Sequence, residues 1–140
     1  MTFNYRIVPL VGRPAPARLC WMGQQISAGL RVVQLSEQDV AISRGDKALP
    51  PIAGFLHVEG PAVVTSVRQV CEGLEIRMFN PADVEVTAKL DTTDWPEGPL
   101  SPKTVQPVDL ESNPLGPTEK LDRVFELNLR PKQIATLRLV

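Results

Sequence analysis

Acid–base or metal chemistry in this chain would have to pass through His57, the only histidine in 140 residues. A zinc centre needs several donors converging to about 2.0–2.2 Å from the ion, and one imidazole in the run Phe55-Leu56-His57-Val58 does not supply them. His57 reads as a residue that hydrogen-bonds within or beside a sheet. Cys20 and Cys71 could act as nucleophiles only beside a base, and no partner set or Gly-x-Ser-x-Gly elbow accompanies them. Two carboxylates working together as acid and nucleophile must stand about 5–5.5 Å apart. Asp91, Asp94, Glu97, Asp109 and Glu111 are numerous enough to form such a pair, yet each falls in a polar loop or on the wet face of a strand, where a solvated charge is the simpler reading. No catalytic residue and no metal ligand is assigned.

The elements that would carry these residues are strands. From Asp83 to Leu90, apolar and polar side chains alternate with period two, placing Val84, Val86, Ala88 and Leu90 on one face and Asp83, Glu85, Thr87 and Lys89 on the other. Leu74, Ile76 and Met78 alternate in the same way with Glu75, Arg77 and Phe79, and Asn80-Pro81-Ala82-Asp83 reads as a hairpin joining the two runs. Arg130-Pro131-Lys132 reads as a corner or bulge, because proline has no N–H for a ladder. Strands are expected at Phe3 to Leu10, Gly29 to Leu35, Ile52 to Glu59, Ala62 to Val70, Gly73 to Phe79, Asp83 to Leu90, Gln106 to Leu110, Leu121 to Leu129 and Gln133 to Val140. Val11 to Ala28 reads as a crossing connection, and Thr92 to Leu115 as a surface loop broken by one edge strand. With 14 prolines and 9 glycines punctuating the chain, the expected fold class is all-β: an antiparallel β-sandwich of about nine short strands in two sheets.

Composition bounds the partners. Fifteen basic against sixteen acidic side chains leave a net charge of −1, which gives no long-range attraction for nucleic acid or anionic lipid. No apolar run reaches the roughly 18 residues of a membrane span, and no charged-then-apolar leader opens the chain. Cys20 and Cys71 form no C-x-x-C motif or disulfide framework, so two reduced, packed thiols and a cytoplasmic setting are expected. A chain of 140 residues can bury about 68% of the surface its unfolded form exposes, enough for one domain without a metal or disulfide.

Two blocks carry a family resemblance. Gly73-Leu74-Glu75-Ile76-Arg77-Met78-Phe79-Asn80-Pro81 and the closing Leu129-Arg130-Pro131-Lys132-Gln133-Ile134-Ala135-Thr136-Leu137-Arg138-Leu139 resemble the final β-domain of the α-mannosidases of glycoside hydrolase family 38. Phe3-Asn4-Tyr5-Arg6-Ile7-Val8-Pro9-Leu10 with Gly12 is similar to the segment leading into that domain. Lys132 departs from the pattern, an aromatic residue being more usual there. The resemblance implies that residues 1–140 form a single β-sandwich domain, the C-terminal part of a larger enzyme that hydrolyses α-mannosides. The zinc ligands and the aspartate nucleophile would then belong to a catalytic domain upstream of Met1, so no cofactor is expected in this chain, and zinc is implied for the parent.

Two roles follow. The first is structural: the domain buries an apolar face against the upstream catalytic domain, with Phe79 the interface candidate, since it falls on the otherwise polar side of its strand. Coverage of Phe79 by the domain's own loops is the plain alternative. The second is a free-standing carbohydrate-binding sandwich, in which Trp21 and Trp95 stack on the C–H faces of mannose-containing saccharides. The plain reading of the tryptophans is that Trp21 packs against Leu19 and Met22, and Trp95 pins its loop to the sandwich.

Overall fold

The computed structural model describes residues 6–28, 54–95 and 101–140. They form one helix, α1 (Pro16–Ala28), and eight strands: β1 (His57–Glu59), β2 (Val63–Val70), β3 (Gly73–Phe79), β4 (Val86–Asp91), β5 (Thr104–Val108), β6 (Glu119–Lys120), β7 (Val124–Leu129) and β8 (Ile134–Leu139). Strand pairing yields two antiparallel sheets, β1-β4-β7 and β2-β3-β8-β5-β6. The molecule is an all-β sandwich. The strand expected at Gly29 to Leu35 lies outside the described residues, as do Phe3 to Tyr5 and Ile52 to Ala53 of two others.

Side-chain alternation explains where the core sits. Ile76, Met78, Leu137, Leu139 and Val105 of the five-stranded sheet face Ala88, Leu90 and Leu129 of the three-stranded sheet, all of them buried and joined by Ala62 and Leu121. Leu56, Val58, Val86, Phe125 and Leu127 pack around this centre. Each large aliphatic side chain so buried is worth about 1.5–3 kcal/mol relative to exposure. On the outside of the three-stranded sheet the opposite face is wet: Thr87 Oγ1 donates to Asn128 at 2.8 Å, and Lys89 Nζ lies 2.9 Å from Glu126.

Several expectations are corrected. Asn80 to Asp83 is not a hairpin, because β3 and β4 belong to different sheets; the segment carries the chain across the sandwich. Asn80, fully buried, holds that crossing. Its Nδ2 donates to the carbonyls of Val84 (2.8 Å), Leu129 (3.1 Å) and Arg130 (2.9 Å), while its Oδ1 accepts from Ala82 N (2.9 Å). Val84, within that crossing and ahead of β4, is exposed and does not join the core face. Arg130 to Gln133 is a corner, as expected, and it too leads from one sheet to the other. Gln133 N donates to Arg130 O at 3.1 Å, and Lys132 has φ 58, the pattern of a type II turn with proline in its second position.

Val11 to Ala28 is not merely a crossing connection, since α1 occupies most of it. Pro16 stands at the first helical position, where its fixed φ and missing N–H cost nothing, and Ala, Arg, Leu and Met follow with good helix propensity. Arg6 to Leu10 lies in no strand. The strand expected at Gln106 to Leu110 begins earlier, at Thr104, and is interior to its sheet, flanked by β8 and the two-residue β6. Pro107 is tolerated there because its carbonyl accepts from Leu115 N at 2.9 Å, which puts the missing donor on the side away from β8.

Candidate functional site

Strand β3 alternates as expected, yet its outer side is not wet. Glu75, 1% exposed, stands between Arg68 of β2 and Arg138 of β8 in the sheet register. Arg68 donates to Glu75 Oε2 from Nε at 2.8 Å and from Nη2 at 2.6 Å. Arg138 donates to Oε1 from Nε at 3.2 Å and from Nη2 at 3.0 Å, and Ser112 Oγ donates to Oε2 at 3.1 Å. Arg138 also donates to Glu72 through Nη1 and to the Ser112 carbonyl at 2.6 Å. Burial pushes the Glu75 pKa up, but hydrogen bonds from Arg68, Arg138 and Ser112 outweigh it, and the carboxyl is held below its ordinary value.

The cover over this cluster is the segment 109–116, held down by arginines from three strands. Arg68 Nη2 donates to Ser112 Oγ at 2.5 Å, Arg77 Nη2 to Leu110 O at 3.4 Å, and Arg138 to Ser112 O. The segment is shaped from within by Asp109. Its Oδ1 accepts from the amides of Glu111 and Asn113, both at 2.8 Å, and its Oδ2 from Asn113 Nδ2 at 3.0 Å. The Asn113 bonds keep the Asp109 carboxyl below its usual range. Ser112, at φ 73, is in the left-handed region that non-glycine residues seldom occupy, and both its hydroxyl and its carbonyl are engaged there. An ionised carboxylate clamped between two guanidiniums has no proton to give and no room for an incoming atom. The cluster fastens a loop to a sheet.

A cleft of about 450 Å³ opens beside it, at the end of the β2–β3 hairpin. Trp95, the hairpin turn from Gln69 to Leu74, Ser101, Pro102, Leu139 and Val140 line it. Trp95 is half-buried, its backbone N donates to Thr92 O at 3.0 Å, and its ring lies 6.3 Å from that of Phe55 at 55°. Trp21 is exposed on α1 and is not part of this lining. Phe79 is half-buried at the end of β3, in register with Val63 on one side and Ile134 on the other.

His57 and Asp94 form an exposed pair, Nε2 to Oδ2 at 3.2 Å. Asp91 stands opposite His57 in the β1–β4 register. Hydrogen bonds from Thr93, its amide at 2.7 Å among them, hold the Asp91 carboxyl below its usual value, with a smaller contribution from His57. Among the described residues no group of three or more His, Cys, Asp or Glu side chains could hold a metal ion. Cys20 and Cys71 are free thiols, and Cys71 is exposed on the hairpin turn rather than packed as expected. Glu97 lies outside the described residues. No helix among the described residues is long and apolar enough to cross a membrane.

The Glu75 cluster escaped the reading of the chain by strands alone. A signal for it does exist: a two-residue turn at Cys71-Glu72 pairs Val70 with Gly73 and therefore Arg68 with Glu75. Arg138 could not be added that way, because its strand arrives from the far end of the chain.

Comparison with known proteins returns one family. The model of the "Glycosyl hydrolases family 38 C-terminal beta sandwich domain" matches residues 63–137, which is to say β2 through most of β8. No curated protein and no solved structure matches the chain.

Proposed function

Starting from the chain's membership of the glycosyl hydrolases family 38 C-terminal β-sandwich domain family, we propose that it is the accessory C-terminal domain of a family 38 α-mannosidase. In this reading it supports and contacts a catalytic unit and performs no catalysis itself. One observation carries the reading: the family match runs across both sheets, the Asn80 crossing and the Arg130 corner, so it covers the architecture and not a single strand motif. Zinc belongs to the reading only through the parent. The described residues do not fit such an ion, since their one imidazole meets an exposed Asp94 and no third donor completes a set.

The geometry suits a rigid accessory unit. The core is shared between the two sheets, the Asn80 and Arg130 crossings are fixed by hydrogen bonds, and the Glu75 cluster on the outer face of the larger sheet is locked under residues 109–116. A body of this kind holds its surface residues at fixed positions relative to a neighbour. A cytoplasmic setting with free thiols completes the reading.

The test is isolation of the native polypeptide that carries this sequence, intact mass, and assay on an aryl α-mannoside. The reading requires a polypeptide or stable complex containing a catalytic unit and hydrolysing the substrate, while residues 1–140 alone do not. A native product of 140 residues with no associated catalytic unit refutes it.

The cleft beside Trp95 favours a second reading, a carbohydrate-binding sandwich, since its volume falls within the range of small-molecule sites. Micromolar binding of mannose or mannobiose that Trp95→Ala abolishes would establish this reading. Absence of binding by both sugars would remove it.

A further inference from the structure

The segment from Arg6 to Ala28 behaves unlike the rest of the molecule. It precedes the family match, and six of its large apolar side chains are exposed, Ile7 at 95%, Val11 fully, and Val8, Leu19, Trp21 and Ile26 each above 40%, while Leu10 and Met22 are half-buried. On α1 the only buried residue is Ala17. At about 100° per residue, Ala17, Cys20, Gln24 and Ala28 share one side of the helix, and Leu19, Met22 and Ile26 share the opposite side. The first side faces the sandwich, because Gln24 Nε2 donates to Val64 O on β2 at 2.8 Å. The apolar stripe Leu19-Met22-Ile26, with Leu19 and Ile26 exposed and Met22 half-buried, therefore lies on the side of α1 away from β2. Its charge is one-sided as well. Residues 6–28 contain Arg6, Arg13 and Arg18 and no acidic side chain, whereas the chain as a whole carries −1.

We propose that this N-terminal arm, residues 6–28, is the docking element of the domain, and that its occupant is an apolar groove rimmed with carboxylates on the catalytic unit. The proposal rests on the accessory-domain reading and says which surface makes the contact. Apolar side chains in the arm supply the area, three arginines with no acid among them select an acidic rim, and the bond from Gln24 to Val64 O ties the arm to β2 so that docking is transmitted to the sandwich. Phe79, between Val63 and Ile134 on the larger sheet, is then not the contact. A protein groove is favoured over an anionic membrane because α1 itself has a single cation, Arg18, where a surface-bound helix needs a strongly charged polar face.

Hydrogen exchange by mass spectrometry on the native polypeptide and on isolated residues 1–140 tests this. In isolation the amides of 6–28 should exchange within a few-fold of unstructured rates, since a 13-residue helix with one buried side chain is marginal in water. In the native polypeptide they should exchange at least tenfold more slowly, and Leu19→Glu/Ile26→Glu should abolish the protection. The double variant of residues 1–140 should keep the melting temperature of the unaltered chain, separating lost docking from lost folding, with Ile7→Asp/Val11→Asp as a second pair outside the helix. Equal exchange in both contexts overturns the proposal while leaving the accessory-domain reading intact. So does protection in isolation that rises with concentration, which assigns the arm to a second copy of this chain. Arm-dependent co-sedimentation with phosphatidylcholine/phosphatidylserine vesicles overturns it in favour of a membrane. Absence of any catalytic unit refutes the functional reading, and this proposal with it.

Discussion

Asn80→Ala should be among the most damaging single substitutions in the sandwich, although it removes only a small polar group. The side-chain amide is fully buried and serves three carbonyls and one amide, at 2.8 to 3.1 Å, belonging to the crossing from β3 to β4 and to the end of β7. A buried backbone group stripped of its partner costs about 1–3 kcal/mol, and each carbonyl keeps a second lone pair that water can reach once the site opens. Discounting for that, the loss comes to about 3–5 kcal/mol, a large share of the roughly 5–15 kcal/mol that holds a domain together. With an unfolding entropy of about 2.1 cal/mol/K per residue, the melting temperature should fall by about 10–17 °C. Asn80→Asp is the diagnostic companion. It keeps the acceptor for Ala82 N but replaces the donor group with an oxygen facing three carbonyls, so it should be no more stable than the alanine variant. Calorimetry and urea titration of the three proteins measure both quantities. A loss under about 1 kcal/mol for Asn80→Ala, or wild-type stability for Asn80→Asp, would show that the crossing is held by something else.

Three further outcomes are expected. Glu75→Gln at neutral pH should cost about 3–5 kcal/mol, because it leaves the nearly buried Arg138 and the half-exposed Arg68 facing a neutral amide. Glu75 has a lowered folded pKa, so its contribution is complete above the ordinary value of 4.5 and is lost as pH falls through the folded value. Urea midpoints of the native chain should thus drop below about pH 4.5, and the Glu75 share of that drop should vanish in the variant. Gly73→Ala should lower the urea midpoint by the equivalent of about 3 kcal/mol or more, since Gly73 has φ 147 and an added Cβ would sit 1.9 Å from Leu139 O, which is backbone and has little freedom to yield. Of the two free thiols, Cys71, exposed on the hairpin turn, should react with a disulfide reagent before the partly covered Cys20; equal rates would contradict the placement of that turn.

The sheets were legible in the sequence wherever one face met core and the other met water. Gly73–Phe79 is a strand over the expected residues, and Ala88, Leu90, Leu129, Leu137 and Leu139 lie on the buried faces their alternation indicates. What alternation does not encode is which strand lies beside which. An Asn-Pro turn between two alternating runs looks the same whether it folds a hairpin or crosses a sandwich, and only the pairing of β3 with β2 and β8 decides. The outer side of β3 misled for a related reason: Glu75 reads as a solvated charge until β8 and residues 109–116 come over it. Helix α1 was obscured by the prolines around it and by its lack of a charged face. Of the candidate sugar contacts, Trp95 lines the cleft at the β2–β3 turn and Trp21 lies outside it, a distinction that side-chain type alone could not make.

The position of β8 has a consequence for biosynthesis. It hydrogen-bonds to β3 on one flank and β5 on the other, so the larger sheet is two separate ribbons until residues 134–139 arrive. A ribosome delivers that stretch after the other seven strands among the described residues. Up to that moment the nascent polypeptide shows two unjoined apolar surfaces. Any truncation that removes residues 134–139 therefore leaves a product for the proteolytic machinery rather than a smaller sandwich.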